Sequence, residues 1–93
     1  MADKNQPVRL PPQSVEAEQA VLGCMLIDPE AAPRVFHTLT AKSFYSTAHA
    51  YIYSAMLVIF EKNEAIDTVS VTDQLKKLGK LEDVGGAYFI TGL

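Results

Sequence analysis

Two histidines and one cysteine are the side chains best suited to nucleophilic catalysis or metal binding in this chain. His37 and His49 lie twelve residues apart, and neither has a partner at the spacing that a metal site on one helix needs. Cys24 lies in the apolar run from Ala20 to Ile27, where a thiolate nucleophile would be poorly solvated. His49 precedes Ile52 by three residues, which places it on the core-facing side of a predicted helix. We therefore predict a hydrogen-bonded structural histidine at position 49, and neither a catalytic residue nor a metal ligand.

The glycines do not form a nucleotide-binding loop. Gly79-Lys80 is the one Gly-Lys pair, but Leu81 follows it and no glycine precedes it at the spacing of a P-loop. Gly85-Gly86 is a doublet, which is typical of close backbone approach at the start of a helix. The sequence therefore predicts no cofactor-binding residue in this chain.

Composition and charge narrow the possible functions. The 93 residues are 48% hydrophobic and 20% charged, which is typical of one small globular domain. Eight basic against eleven acidic residues give a net charge of −3, without the positive field that non-specific nucleic-acid binding uses. Lys76, Lys77 and Lys80 form the one basic cluster; its acidic neighbours favour a solvated helix face. A single cysteine excludes an internal disulfide and favours the cytoplasm, and no apolar run approaches the roughly 20 residues of a membrane span.

The apolar residues recur with helical spacing and predict an all-α fold, a compact bundle of five to six short helices. Residues 1–13 contain three of the five prolines and show no periodicity, which predicts an extended N-terminal arm. Residues 14–93 are predicted to form a helical head domain.

Capping residues predict where the first two helices begin. Ser14 is expected to cap the first helix, whose apolar stripe has Glu18 as its one polar member. Asp28 is expected to cap a short second helix that has Pro29 in its first position and ends near His37.

Three further helices are predicted in the second half of the chain. Ser46 or Thr47 is expected to cap the longest, which runs to about Asn63. Asp67 or Thr68 is expected to cap the next, and Asp83 the last. The stripe of the longest helix is Ile52, Ala55, Met56, Ile59 and Phe60, and that of the next is Val71, Leu75 and Leu78, before Gly79.

Several motifs occur together, in order, across most of the chain. They are Leu10-Pro11-Pro12-Gln13-Ser14-Val15-Glu16-Ala17-Glu18-Gln19-Ala20-Val21-Leu22-Gly23, Phe44-Tyr45 with His49 and Ile52, Ile66-Asp67-Thr68-Val69, Gly79-Lys80-Leu81, and Val84-Gly85-Gly86 with Tyr88. With these motifs the chain resembles, from residue 10 to residue 93, the N-terminal domain of bacterial DnaB-type replicative DNA helicases.

The resemblance implies a non-catalytic domain of a homohexameric, ATP-driven helicase that unwinds DNA at the replication fork. In that family a helical hairpin, a linker and a RecA-like motor follow the head, so ATP, Mg²⁺ and DNA are expected to bind outside this chain. The family's N-terminal domains form a collar, a trimer of dimers, which receives the primase, and in some bacteria a loader protein also acts on the helicase. The implied location is cytoplasmic, in association with the nucleoid and not with a membrane.

Position within the resemblance makes Glu16 and Tyr88 the candidate partner-binding residues. The structural alternative is favoured for both: Glu16 as an exposed acid that stabilises the helix dipole, and Tyr88 as a core or partly buried ring. Apolar residues off the predicted stripes (Tyr51, Leu57, Val58 and the Tyr88-Phe89 end) could serve a subunit or partner surface, although ordinary packing is favoured for them too.

Two other functions stay open at this stage. A helix-turn-helix DNA-binding module would need a basic recognition helix, whereas residues 67–79 supply only Lys76 and Lys77, at the end. An enzyme fragment with a shared active site would need His37 or His49 in a cleft. Our first prediction remains a docking and assembly domain that has no ATPase or unwinding activity of its own and is a monomer or weak dimer in isolation.

Overall fold

The computed structural model describes residues 14–93, and the arm predicted for residues 1–13 lies outside them. Five α-helices and two single-turn 3-10 helices make up this part, without a strand, which confirms the predicted all-α fold. The α-helices are α1 (Val15–Ile27), α2 (Ala31–Thr38), α3 (Thr47–Glu61), α4 (Thr68–Lys77) and α5 (Gly86–Thr91). The 3-10 helices are Ala41–Ser43, before α3, and Glu82–Val84, before α5.

Side-chain caps begin three of the five helices where the sequence predicts them. The hydroxyl of Ser14 accepts a hydrogen bond from the backbone N–H of Ala17, and that of Ser46 accepts one from His49 (both 3.3 Å). Asp67 accepts from the N–H of Ser70 (2.8 Å), whose hydroxyl accepts in return from the N–H of Asp67 (2.9 Å). These bonds satisfy amides that have no partner within their own helix, and they identify Ser46 and Asp67 as the caps of α3 and α4.

The predicted caps of the other two helices are wrong. Asp28 accepts a hydrogen bond from the N–H of Glu30 (3.0 Å) and closes a turn, so that α2 begins at Ala31 and not at Pro29. Asp83 lies inside the second 3-10 helix, and Gly85 precedes α5 with a φ of 104°. Because this left-handed conformation favours glycine, the Gly85-Gly86 doublet, and not an aspartate, sets the start of α5.

Helix α3 lies at the centre of the fold and packs against α1, α4 and both 3-10 helices, while α5 packs against α4. Four of the five stripe residues predicted for α3 are buried, and Phe60 is the exception at 37% exposed. Leu78, which directly follows α4, is likewise half exposed, although Val71 and Leu75 of the same predicted stripe are buried. The buried apolar side chains are Leu22, Met25, Ala32, Phe44, Ile52, Tyr53, Ala55, Met56, Ile59, Val71, Leu75, Val84 and Ile90.

The environment predicted for Cys24 is wrong, because this side chain is exposed. Helix α1 turns Leu22, Gly23 and Met25 toward the core, and Cys24 lies between them on the opposite side. Tyr51, Leu57 and Val58 are half-buried. Within residues 14–93, no helix combines the length and the apolar character that crossing a membrane requires.

Candidate partner-docking site

The candidate catalytic side chains do not come together. His49 is buried on α3, whereas His37 and Cys24 are exposed on α2 and α1. Across residues 14–93, His, Cys, Asp and Glu side chains nowhere gather in a group of three that could hold a metal ion. The surface depressions described for this part are open and have volumes of about 250 to 380 Å³. The buried polar groups and the exposed apolar side chains are therefore the candidate functional features of this part of the chain.

One buried polar cluster joins α1 to the start of α3. The carboxylate of Glu18 accepts hydrogen bonds from the backbone N–H groups of Tyr45 (2.6 Å) and Ser46 (3.3 Å). Its Oε1 atom also lies 2.8 Å from Nδ1 of His49. The prediction of a hydrogen-bonded structural histidine at position 49 is thereby confirmed.

The sequence explains why a carboxylate is placed here. Glu18 lies on the core-facing stripe of α1, and the stripe directs it at the chain segment that enters α3. Backbone N–H groups near the first turn of a helix carry partial positive charge and lack partners within the helix. Glu18 therefore acts as a cap supplied from another helix, in addition to the local cap Ser46.

The charge state of Glu18 follows from two opposing effects. Burial raises the pKa of this carboxyl, but the hydrogen bonds from His49, Tyr45 and Ser46 and the charge of His49 together lower the pKa by more. The net result is a pKa below the ordinary value, so Glu18 is ionised at neutral pH. An ionised carboxylate only accepts hydrogen bonds, and each of the three neighbouring groups can donate one.

The cluster extends from His49 to the last helix. The imidazole ring of His49 stacks on the ring of Phe89, with 5.9 Å between the ring centroids and 24° between the ring planes. Phe89 also packs over the start of α5, because a Cβ atom added to Gly85 would lie 3.1 Å from the Cβ of Phe89. Glu18, His49 and Phe89 thus connect α1, α3 and α5, which are far apart in sequence.

The two candidate partner-binding residues are both exposed. Glu16 lies in the first turn of α1, where its charge also suits the helix dipole. Tyr88 is 91% exposed, so the expectation of a core or partly buried ring is wrong. Helix α5 is six residues long and directs Ile90 into the core and Phe89 onto His49, which leaves Tyr88 in solvent.

The basic cluster resembles a solvated helix face, as predicted. Lys77 pairs with Asp73 (3.4 Å) and Lys80 with Asp83 (3.7 Å); the side chain of Lys80 is half-buried, and the other three are exposed. Lys80 also lies over the ring of Tyr51, with Nζ 5.0 Å from its centroid, a contact that the sequence does not reveal. Two of the three lysines are therefore engaged within the domain, which weakens the alternative of a DNA-recognition helix.

The fold and these contacts define the class: a small all-α domain in which the buried Glu18 binds His49 and the start of α3, and whose helix α5 presents an exposed aromatic ring. Residues 10–93 match the family described as the DnaB-like helicase N terminal domain. The chain therefore belongs to this family.

Individual relatives agree with the family assignment. The chain is 46% identical over 85 residues to the replicative DNA helicase DnaB of Rhodothermus marinus and 44% identical to the replicative DNA helicase DnaC of Bacillus subtilis. These matches cover 91% of this chain but only 9% and 19% of those relatives. The crystal structure of the N-terminal domain of DnaB helicase from Mycobacterium tuberculosis superposes with a TM-score of 0.84 at 37% identity, covering 89% of this chain and 60% of that one.

Proposed function

We propose that this chain is a docking and assembly domain of a hexameric replicative DNA helicase, and that it contributes no catalytic residue. The proposal is supported by family membership together with one observation, the exposure of Tyr88 on a helix that the buried cluster holds in place. A solvent-exposed tyrosine costs little conformational entropy to bury again and offers a large contact area.

The proposed partners are those that the family resemblance implies. The primase would dock on this domain through contacts that include Glu16 and Tyr88, and a loader protein would act on the assembled helicase. Other copies of the protein would complete a collar of N-terminal domains. DNA, ATP and Mg²⁺ would bind a motor domain elsewhere in the whole protein; the chain spans less than a fifth of the Rhodothermus marinus and Bacillus subtilis helicases.

The primase contact can be tested by isothermal titration of the C-terminal domain of the cognate primase into the 93-residue chain. Tyr88→Ala should weaken binding roughly tenfold or more, the effect expected for loss of an aromatic anchor. Tyr45→Ala is the matched control, because Tyr45 is also an exposed tyrosine (63%) but lies before α3. Equal effects of the two substitutions, or no binding by the wild-type chain, would contradict the proposed contact.

The assembly role has a separate test. Sedimentation of the 93-residue chain should show a monomer or a weak dimer, because the resemblance implies that the helical hairpin, and not the head domain, completes the family's dimers. A tight hexamer of this chain would contradict that expectation.

A further inference from the structure

The buried cluster is adjacent in sequence to both candidate docking residues. Glu18 is two residues after Glu16 on α1, and Phe89 directly follows Tyr88 on α5. Glu18 and His49 are themselves buried, with 9% and 1% of their surface exposed, so they cannot contact a partner directly. Any effect that they have on docking must pass through the position of the helices that they join.

The hydrogen bond between Glu18 and His49 fixes the orientation of the imidazole ring. Glu18 receives two backbone hydrogen bonds besides that of His49, which hold the carboxylate at the entrance of α3. Because the ionised carboxylate only accepts, Nδ1 of His49 carries the proton of their 2.8 Å contact. This hydrogen bond sets the orientation of the ring within the core.

The stacking of Phe89 on His49 connects α5 to α3. This helix has six residues and no side-chain cap on its first turn, and so short a helix is not stable without tertiary contacts. Two of its side chains supply them: Ile90 enters the core, and Phe89 stacks on His49. Together with the packing of α5 on α4, these two contacts limit how α5 can rotate about its axis, and therefore where Tyr88 points.

We propose that Glu18 and His49 are positioning residues for the docking surface: Glu18 orients the ring of His49, and this ring holds Phe89 and with it Tyr88. The docking role of Tyr88 rests on the proposed function. The chain of contacts from Glu18 through His49 to Phe89, which we call the relay, does not. The relay can therefore be tested without a partner.

Amide hydrogen exchange of the 93-residue chain tests the relay directly. His49→Asn retains an N–H donor near the position of Nδ1 but removes the ring that stacks on Phe89. Exchange of the α5 amides should become roughly three- to tenfold faster, as expected for loss of one aromatic stack, while the amides of α1 and α3 change by less than about twofold. Phe89→Leu removes the same stack from the other side and should give the same pattern.

His37→Asn is the matched control, because His37 is an exposed histidine on α2 and should leave α5 unchanged. Unchanged exchange of α5 in both His49→Asn and Phe89→Leu would overturn the relay. Equal acceleration in all helices would overturn it too, because the cluster would then serve general stability only.

A second experiment measures the binding of the C-terminal domain of the cognate primase, which serves as the probe. His49→Asn should weaken its binding roughly threefold or more, and should add nothing further in a chain that already carries Tyr88→Ala, since His49 acts through Tyr88. An equal loss in both backgrounds would overturn the positioning role. If the wild-type chain does not bind the probe, the proposed function fails, while the exchange experiment still decides the relay.

Discussion

Replacement of Glu18 by alanine removes the acceptor at the centre of the buried cluster. Three donors then lose their partner: the backbone N–H groups of Tyr45 and Ser46, and Nδ1 of His49. The two backbone bonds are only partly buried, so water can replace some of what is lost, whereas the bond to His49 is buried.

The expected loss of stability can be worked from these three bonds. A donor left unpaired in a buried site costs about 1–3 kcal/mol; we take about 1 kcal/mol for each of the two backbone donors because of the water access, and about 2 kcal/mol for the buried Nδ1 of His49. The sum is about 4 kcal/mol, and the better helix propensity of alanine returns at most about 0.5 kcal/mol. The net loss of about 3–4 kcal/mol is a large part of the roughly 5–15 kcal/mol that stabilises a typical domain.

Urea unfolding followed by circular dichroism at neutral pH measures this loss. The control is Glu16→Ala, which removes an equal charge from the same first turn of α1, but from an exposed position. It should cost no more than the dipole interaction, about 0.3–1 kcal/mol. If the two variants unfold with the same free energy, Glu18 does not act as a cap for α3 and our interpretation of the cluster is refuted.

Three further predictions concern the charge of Glu18 and two other parts of the fold. The pKa of Glu18 is lowered in the folded state, so its ionised form should contribute fully to stability above the ordinary value of 4.5. This contribution should be lost as the pH falls through the lower folded-state pKa. The difference in unfolding free energy between the wild-type chain and Glu18→Gln should therefore shrink on acidification, and a difference that grows would contradict this. Tyr53→Phe should cost about 1 kcal/mol in thermal unfolding, because the hydroxyl donates to the carbonyl of Leu39 (2.8 Å) at the end of α2, and an unchanged melting temperature would argue against that bond. Gly85→Ala should lower the free energy of unfolding in urea by about 1–3 kcal/mol, because φ is 104° and the new Cβ would lie 3.1 Å from the Cβ of Phe89. Gly92→Ala is the control: φ is −85° at this position, and the loss should be clearly smaller.

Local signals in the sequence account for much of the fold. Three helix caps could be predicted because each side chain binds a backbone amide only three residues further along the chain. These caps are Ser14, Ser46 and Asp67. Asp28 and Asp83 fail for a related reason. Both have the chemistry of a cap, but one closes a turn and the other lies in a 3-10 helix, since the neighbouring Pro29 and Gly85 determine the backbone there.

The candidate site depends on contacts that the sequence does not contain. Glu18 and His49 are 31 residues apart, so their pairing follows only from the packing of α1 on α3. A polar residue on an apolar stripe was the one available signal for Glu18. Helix α5, with six residues, is too short for periodicity to distinguish its core side from its solvent side. The exposure of Tyr88 becomes clear only from the tertiary contacts of α5, such as the stacking of Phe89 on His49.

The most direct test of the docking function is a titration of the C-terminal domain of the cognate primase into the isotopically labelled chain, followed by amide chemical shifts. Our account predicts shifts concentrated on α5 around Tyr88 and on the first turn of α1 around Glu16. An absence of shifts, or shifts confined to α2 and the end of α3 near Phe60, would contradict it.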